Sequence, residues 1–186
     1  MKKPENVKVI DASEIQILPL FDWHLGSHEC DEKMVDRIID YIKKTPNCYT
    51  FLGGDLIECS IYGNMNSVHT QKYQVTEQVE MLVEKLKPIK DKILFSICGN
   101  HEHRVEKATG LDVAALIAMH LEVPYFGWEC HYLLQLTSMK NKKSRRNVYI
   151  YAHHGSGGGA TSGSKINNVE KFHFRAPYAN MIFVGH

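Results

Sequence analysis

The sequence predicts a layered α/β domain with a largely parallel sheet, and two observations lead to this prediction. Short apolar runs typical of buried strands alternate along the chain with the apolar periodicity of amphipathic helices. Clusters of Asp, Asn and His directly follow several of these runs. The chain has 186 residues, 44% hydrophobic and 23% charged, which excludes a coiled coil, a collagen-like chain or a wholly disordered one. We therefore expect one domain across residues 1–186.

The first half of the chain contains three predicted strands, over residues 15–20, 48–52 and 93–98. Between the first two strands, Asp31 is a predicted N-cap for a helix that ends before Pro46. The apolar stripe of this helix comprises Met34, Val35, Ile38, Ile39, Tyr41 and Ile42. A second amphipathic pattern runs from Val75 to Leu86 and stops at Pro88. This alternation is typical of parallel strands joined by helices.

The second half of the chain contains a predicted helix over 111–121, a strand pair at 132–136 and 148–152, and a last strand at 181–184. The strand pair flanks a basic turn, 140–146, with five cations in seven residues. We interpret this turn as a solvated hairpin; contact with a polyanionic substrate is the alternative. A Gly- and Ser-rich loop follows at 155–164, but it is no P-loop, because Ser164 occupies the lysine position.

Composition also limits where the protein functions. No apolar run reaches the roughly 18 residues that span a bilayer, and the N-terminus is polar where a signal peptide is apolar. Five scattered cysteines without a C-x-x-C pair argue against a disulfide framework and for a reducing compartment. The net charge of +1 creates no global field that would attract nucleic acid or membrane. We expect a cytoplasmic protein without membrane contact.

Five polar clusters lie at predicted strand ends, where the ligand crevice of an open α/β sheet is found. They are Asp22-x-His24, Gly54-Asp55, Gly99-Asn100-His101-Glu102, His153-His154-Gly155 and Gly185-His186. Singly, such residues are common in turns and caps; jointly, they predict a site. Their oxygen and nitrogen donors, without thiolate, suit manganese, iron or zinc better than calcium or copper(I). The donors suffice for two divalent ions, which a carboxylate such as Asp55 could bridge.

In this order, D-x-H, G-D, G-N-H-E, a histidine and G-H resemble the motifs of the calcineurin-like metallophosphoesterases. The resemblance extends from Asp22 to His186. It implies a layered metallophosphoesterase-type sandwich of mixed, largely parallel sheets flanked by helices. It also implies two divalent metal ions, manganese first, with iron, zinc or nickel as alternatives.

The resemblance assigns a role to each motif residue. The implied ligands are Asp22 and His24 for the first metal, Asp55 as the bridge, and Asn100, His153 and His186 for the second. His153 is preferred as the first residue after the strand, with His154 as the alternative. His101 would be a catalytic residue facing the substrate, oriented by Glu102. The family's last motif is G-H-x-H, whereas this chain stops at its first histidine, so we expect that the C-terminal segment is missing.

The implied activity is hydrolysis of a phosphoester bond. A hydroxide bridging the two metals would attack phosphorus while His101 donates a proton or a hydrogen bond to the leaving group, as a general acid or as a stabiliser of the transition state. The stretch 22–26, Asp-Trp-His-Leu-Gly, is similar to the opening motif of the recombination-repair exonuclease branch, which favours a phosphodiester or nucleic-acid substrate. Phosphomonoester or phosphoprotein hydrolysis, and a non-catalytic metal-binding scaffold, are the alternatives. Gly155, Ser156 and Gly157 begin the Gly-rich loop, which we expect either to approach a substrate phosphate or to act as a lid.

Overall fold

Two β-sheets and five α-helices make up the described part of the chain, which in the computed structural model comprises residues 6–62, 71–138, 141–155 and 170–185. The strands are β1 (Asn6–Ile10), β2 (Gln16–Leu20), β3 (Cys48–Leu52), β4 (Ile93–Ser96), β5 (Glu129–Ser138), β6 (Asn141–His153) and β7 (Met181–Val184). The helices are α1 (Glu32–Lys44), α2 (Val75–Leu86), α3 (Asn100–Thr109), α4 (Val113–Leu121) and a helical segment at 170–175, with a 3₁₀ helix at Lys87–Lys92. The predicted α/β class is confirmed.

The first sheet is parallel throughout and has the strand order β2-β3-β4. Its three strands are those predicted in the first half of the chain, and α1 and α2 connect them as expected. The predicted N-cap of α1 is confirmed, because the Asp31 carboxylate accepts a hydrogen bond of 3.0 Å from the backbone N–H of Met34. Parallel order places the carboxyl ends of all three strands at one edge.

The second sheet is mixed and has the strand order β1-β5-β6-β7. The predicted strand pair is the antiparallel hairpin β5–β6, and β1 and β7 pair parallel to its two outer sides. The sequence did not indicate β1, whose only large apolar side chains before Ile10 are the exposed Val7 and Val9. Because β1 is an edge strand, its outward residues need no buried partner, and the apolar signal is weak.

Helix α3 was likewise not predicted, since G-N-H-E was interpreted only as a polar cluster at the end of a strand. Its ten residues are mostly polar, and Val105 is the one hydrophobic residue among its buried side chains. The helix is instead defined at its ends. Glu102 accepts from the backbone N–H of Gly99 at the N-terminus, and Gly110 adopts a left-handed φ of 79° at the C-terminus.

The two sheets pack face to face and are covered by helices on their outer faces. Phe51, Phe95, Tyr132, Leu134 and Ile150 belong to the apolar core between the sheets. The other face of the parallel sheet packs against α1, α2 and α4, and the outer face of the mixed sheet packs Tyr151 against Phe172 of the 170–175 helix. This helix–sheet–sheet–helix order is the layered arrangement expected from the sequence.

All five cysteines are free thiols. Among the described residues, every helix is too short or too polar to cross a membrane.

Candidate metal centre

Six polar side chains converge where the strands of the parallel sheet end and β6 terminates. They form two groups, Asp22–Asp55–His154 and His24–Glu58–His101, and within each group the candidate ligand atoms lie within 4.8 Å of one another. The groups adjoin, since Oδ2 of Asp55 lies 3.9 Å from Nε2 of His101. Each group can hold a metal ion.

The backbone of this site is strained at the predicted ligands. Asp22, His24 and Asp55 have φ values of 54°, 48° and 52°. This left-handed region is sparsely populated by residues other than glycine and costs of order 1–3 kcal/mol per residue. Such strain persists only where the surroundings impose it, and here it turns each side chain off its strand end toward the site.

Two glycines allow the strand-end loops to approach each other. Gly54 has a φ of 90°, and a Cβ there would collide with the backbone of Gly99. A Cβ at Gly99 would in turn collide with the backbone N and the carboxylate of Asp55. The loops after β3 and β4 are therefore packed backbone to backbone, which holds the G-D and G-N-H-E motifs together.

In the first group, an imidazole nitrogen lies close to two oxygens. The Nδ1–H of the fully buried His154 donates to the carbonyl of Gly53 at 2.9 Å, which leaves Nε2 to face the site. Nε2 lies 3.2 Å from Oδ2 of Asp55 and 3.0 Å from Oδ1 of Asn100. Nε2 can therefore carry a proton that it donates to these oxygens, or bind a metal ion together with them.

The ionisation of this pair reflects the same convergence. Burial alone would lower the pKa of His154, but the hydrogen bond and charge of Asp55 outweigh it and raise that pKa. Burial would raise the pKa of Asp55, and the opposing contacts to His154 and to the backbone N–H of His101, at 2.7 Å, lower it. Asp55 is thus held as a carboxylate although its exposed fraction is only 2%.

In the second group, a buried ring nitrogen lacks a hydrogen-bond partner among the described residues. This atom is Nδ1 of His24. It lies 3.4 Å from Oε2 of Glu58, whose residue is 5% exposed. The ring of His24 packs edge-on against that of His101, with 4.3 Å between the centroids. A buried imidazole nitrogen that has no hydrogen bond and lies next to a carboxylate is a candidate metal ligand.

His101 is oriented by the backbone of the loop after β3. Its Nδ1–H donates to the carbonyl of Glu58 at 2.7 Å, so Nε2 is the nitrogen that can exchange a proton. Burial lowers the pKa of His101, and the Asp55 carboxylate counteracts part of that shift.

The buried carboxylate of Glu102 lies beneath the site and links two loops by hydrogen bonds. Its carboxylate accepts hydrogen bonds from the backbone N–H groups of Asp55, Leu56, Ile57 and Gly99, at 2.9–3.4 Å. Burial, and then the charge of Asp55, raise the pKa of Glu102 to about 7, and the backbone donors oppose that rise. Glu102 joins the G-D loop to the start of α3, and its contacts are structural.

The geometry favours His154 over His153, the reverse of the order preferred from the sequence. Successive residues of a strand face opposite sides of a sheet. Ala152 faces the core between the sheets, whereas Tyr151 faces outward. His153 follows Tyr151 outward, where its ring packs 4.4 Å from that of Phe172 and its Nδ1 accepts from the N–H of Gly155. Among the described residues, neither group includes His153.

The remaining predicted residues divide as follows. Asp22, Asn100 and His101 all lie at the site. The N–H of Gly155 is directed to His153, and Ser156, Gly157 and His186 lie outside the described residues. The resemblance places His24 with Asp22 on one metal, whereas the structure groups His24 with Glu58 and His101.

Glu58 is the site residue that the sequence analysis missed. It follows Asp55 by three residues, and its side chain also accepts a 3.1 Å hydrogen bond from the Ser60 hydroxyl. The available signal was an acid within an otherwise apolar stretch, Leu56-Ile57-Glu58-Cys59, directly after a motif. A buried carboxylate in such a position requires a partner.

These features fit divalent metal ions. The side chains offer imidazole and carboxylate ligands, and within the described residues one buried imidazole nitrogen lacks a hydrogen bond. The chain matches no protein-family model and no curated protein sequence.

Proposed function

We propose that this protein is a metal-dependent hydrolase of phosphoester bonds, of the calcineurin-like metallophosphoesterase type, with two divalent ions at the strand-end site. Manganese is the first choice of metal. Phosphodiesters, including nucleic acid, are the favoured substrates, on the similarity of residues 22–26 to the exonuclease branch.

One observation carries the proposal: two adjoining His–carboxylate groups contain the same motif residues, in one place, that the family resemblance selects. Asp55 belongs to one group and lies 3.9 Å from His101 of the other. A structural role would leave the polar atoms satisfied. Here Nδ1 of His24, which is buried, has no hydrogen bond within the described part of the chain.

Asp22, Asp55, Asn100 and His154 would hold one ion, and His24 and Glu58 with Asp55 would hold the other. Bound there, two dications would lower the pKa of a water molecule toward about 7 and neutralise charge on the phosphoryl oxygens. Asp55 is suited to face both ions, because its contacts to His154 and to the N–H of His101 keep it ionised.

His101 would transfer the proton to the leaving group. Its Nδ1–H is committed to the Glu58 carbonyl, so the donor would be the imidazolium form, whose second proton is carried by Nε2. The oxygen released when the P–O bond breaks takes that proton, which avoids an unstable alkoxide product. Glu58 and Glu102 act as positioning residues, the first through its carbonyl and the second through the backbone of α3 and the G-D loop.

The test is a substrate panel with the full chain and added manganese. Bis-nitrophenyl phosphate, nitrophenyl phosphate and single-stranded DNA distinguish diester, monoester and nucleic-acid hydrolysis. We expect hydrolysis of the diester, its loss on chelation and its return when manganese is restored. Binding of two manganese ions without cleavage of any phosphoester would contradict the enzyme proposal and favour a metal-binding scaffold.

A further inference from the structure

A cleft of about 510 Å³ opens beside the candidate metal centre. His24, Glu58 and His101 form part of its lining, and Trp23, Ser60 and the segment 27–30 supply more. Small-molecule sites commonly measure about 300–1,000 Å³. The cleft therefore suits a ligand unit the size of one nucleoside rather than a folded protein surface.

The position of His101 indicates which part of a substrate occupies this cleft. If His101 protonates the leaving group, as proposed above, then the leaving group lies within hydrogen-bond reach of Nε2. Because His101 lines the cleft, the cleft is the leaving-group pocket. The inference thus rests on the proposed function and makes it more specific.

Trp23 gives this pocket a fixed aromatic wall. It is half-buried and packs against the core formed by the parallel sheet and its helices. Its neighbours on both sides are tied to the loop after β3, since the N–H of Asp22 donates to Gly54 and that of His24 to Asp55. An aromatic surface held in this way binds a flat ring with little further loss of entropy.

The charges of the lining favour an uncharged ligand. Three carboxylates line the cleft, those of Asp22, Glu29 and Glu58. Asp22 and Glu58 belong to the metal-binding groups, whereas Glu29 is exposed and belongs to neither. A leaving group that carried further phosphates would bring its charge toward Glu29, which is unfavourable.

We propose that the cleft binds an uncharged nucleoside as the leaving group, with its base stacked on Trp23. The substrates would be phosphoesters whose leaving group is a nucleoside, so a nucleic acid would be cleaved only where it releases a terminal nucleoside, and phosphoproteins would be excluded. Stacking recognises any base, because every base offers a π-face. We therefore expect recognition of nucleosides without strong preference among bases.

A binding experiment tests the cleft independently of catalysis. The chain has two tryptophans, Trp23 and Trp128, so each can be observed alone. Adenosine should quench the fluorescence of Trp128→Phe, in which Trp23 remains, and should leave that of Trp23→Phe unchanged. Quenching of neither variant, or of Trp23→Phe alone, would overturn the proposal.

A kinetic experiment then connects the cleft to the reaction. Two diesters with alkoxide leaving groups, a symmetric 5′–5′-linked dinucleoside monophosphate and dibutyl phosphate, differ in whether that group is a nucleoside. Trp23→Ala should lower the ratio of their kcat/KM values by about 10-fold or more, and Trp23→Phe should restore most of it. Trp128→Ala, at a residue outside the cleft lining, is the matched control and should keep the wild-type ratio.

The outcomes separate the two proposals. An unchanged ratio in Trp23→Ala would contradict the nucleoside pocket while phosphoester hydrolysis stands. Absence of cleavage of both diesters by the wild-type protein would count against the proposed function, and adenosine quenching would still decide whether the cleft binds nucleosides.

Discussion

Within the described part of the chain, two clusters of histidine and carboxylate differ in how their donors and acceptors match. The strand-end cluster comprises Asp22, His24, Asp55, Glu58, His101 and His154. The outer-face cluster comprises Glu129, His131, Tyr151, His153 and Tyr178, on the outer side of the mixed sheet. The two share residue types, so composition alone does not distinguish a site from a structural network.

Hydrogen bonding distinguishes them. In the outer-face cluster, the hydroxyl of Tyr151 donates to Glu129 at 2.7 Å and that of Tyr178 bonds to His131 at 2.6 Å. In the strand-end cluster, Nδ1 of the buried His24 has no hydrogen bond within the described part of the chain, and three residues have left-handed backbones. Matched donors and acceptors stabilise a fold, whereas a buried ring nitrogen without a hydrogen bond, next to strained backbone, indicates a place for a cation.

The largest expected effect separates Asp55 from Glu129. Asp55→Asn removes the charge that both metal ions would share, so we expect hydrolysis to fall to background and manganese binding to be lost. Glu129→Gln, a matched change in the outer-face cluster, should keep both properties. Manganese content after dialysis and bis-nitrophenyl phosphate turnover are the measurements. If Asp55→Asn retained two manganese ions, Asp55 would not be the shared ligand, which would contradict the prediction.

The second effect concerns His101 within the strand-end cluster. Loss of a general acid lowers kcat by about 100- to 10,000-fold, and we expect this for His101→Gln with both metal ions still bound. His103→Gln is the control, because His103 pairs with Glu106 on the same helix and belongs to neither group. A drop to one bound ion in His101→Gln would mean that His101 is a ligand and has no separate role in proton transfer.

The third effect compares two neighbours on the chain. His154→Ala should weaken manganese binding by at least about 10- to 100-fold, the range for losing even an outer-shell partner. His153→Ala should leave the affinity unchanged and instead lower the free energy of unfolding by about 1 kcal/mol through lost packing on Phe172. Isothermal titration and urea unfolding measure the two quantities. If His153→Ala weakened manganese binding and His154→Ala did not, His153 would be the ligand.

The smallest effect sharpens the role of Glu102. Glu102 is ionised above its pKa of about 7, and there Glu102→Gln replaces a charged acceptor of backbone hydrogen bonds, each of which contributes about 1.5–3 kcal/mol. We expect the metal-free variant to lose about that amount of unfolding free energy, measured in urea. Glu106→Gln, on the more exposed side of α3, should change it by less than about 0.5 kcal/mol. Equal stability of the two variants would mean that the hydrogen bonds of Glu102 contribute little to the free energy of unfolding.

Much of the fold was accessible from sequence because buried strands and amphipathic helices leave periodic apolar patterns. The strands of the parallel sheet and the Asp31 cap were predicted on that basis and are confirmed. β1 and α3 were not predicted, because an edge strand and a helix with little apolar surface lack such patterns. Their stability comes from strand pairing and from the hydrogen bonds between Glu102 and the loop after β3, which are long-range contacts.

The site was accessible in part. Motif order located Asp22, His24, Asp55 and Asn100, and the structure brings them together. The direction of each side chain was harder to predict. His153 and His154 are neighbours in the chain, so they point to opposite sides of the sheet. Glu58 belonged to no recognised motif, and only its burial beside His24 and His101 identifies it.

The central claim is that the strand-end cluster holds two metal ions, and anomalous diffraction from crystals of the manganese-loaded protein tests it most directly. We predict two manganese peaks about 3.5–4 Å apart, with one beside Asp55 and His154 and the other beside His24 and Glu58. A single peak, no peak at this cluster, or manganese at the outer-face cluster would contradict the claim.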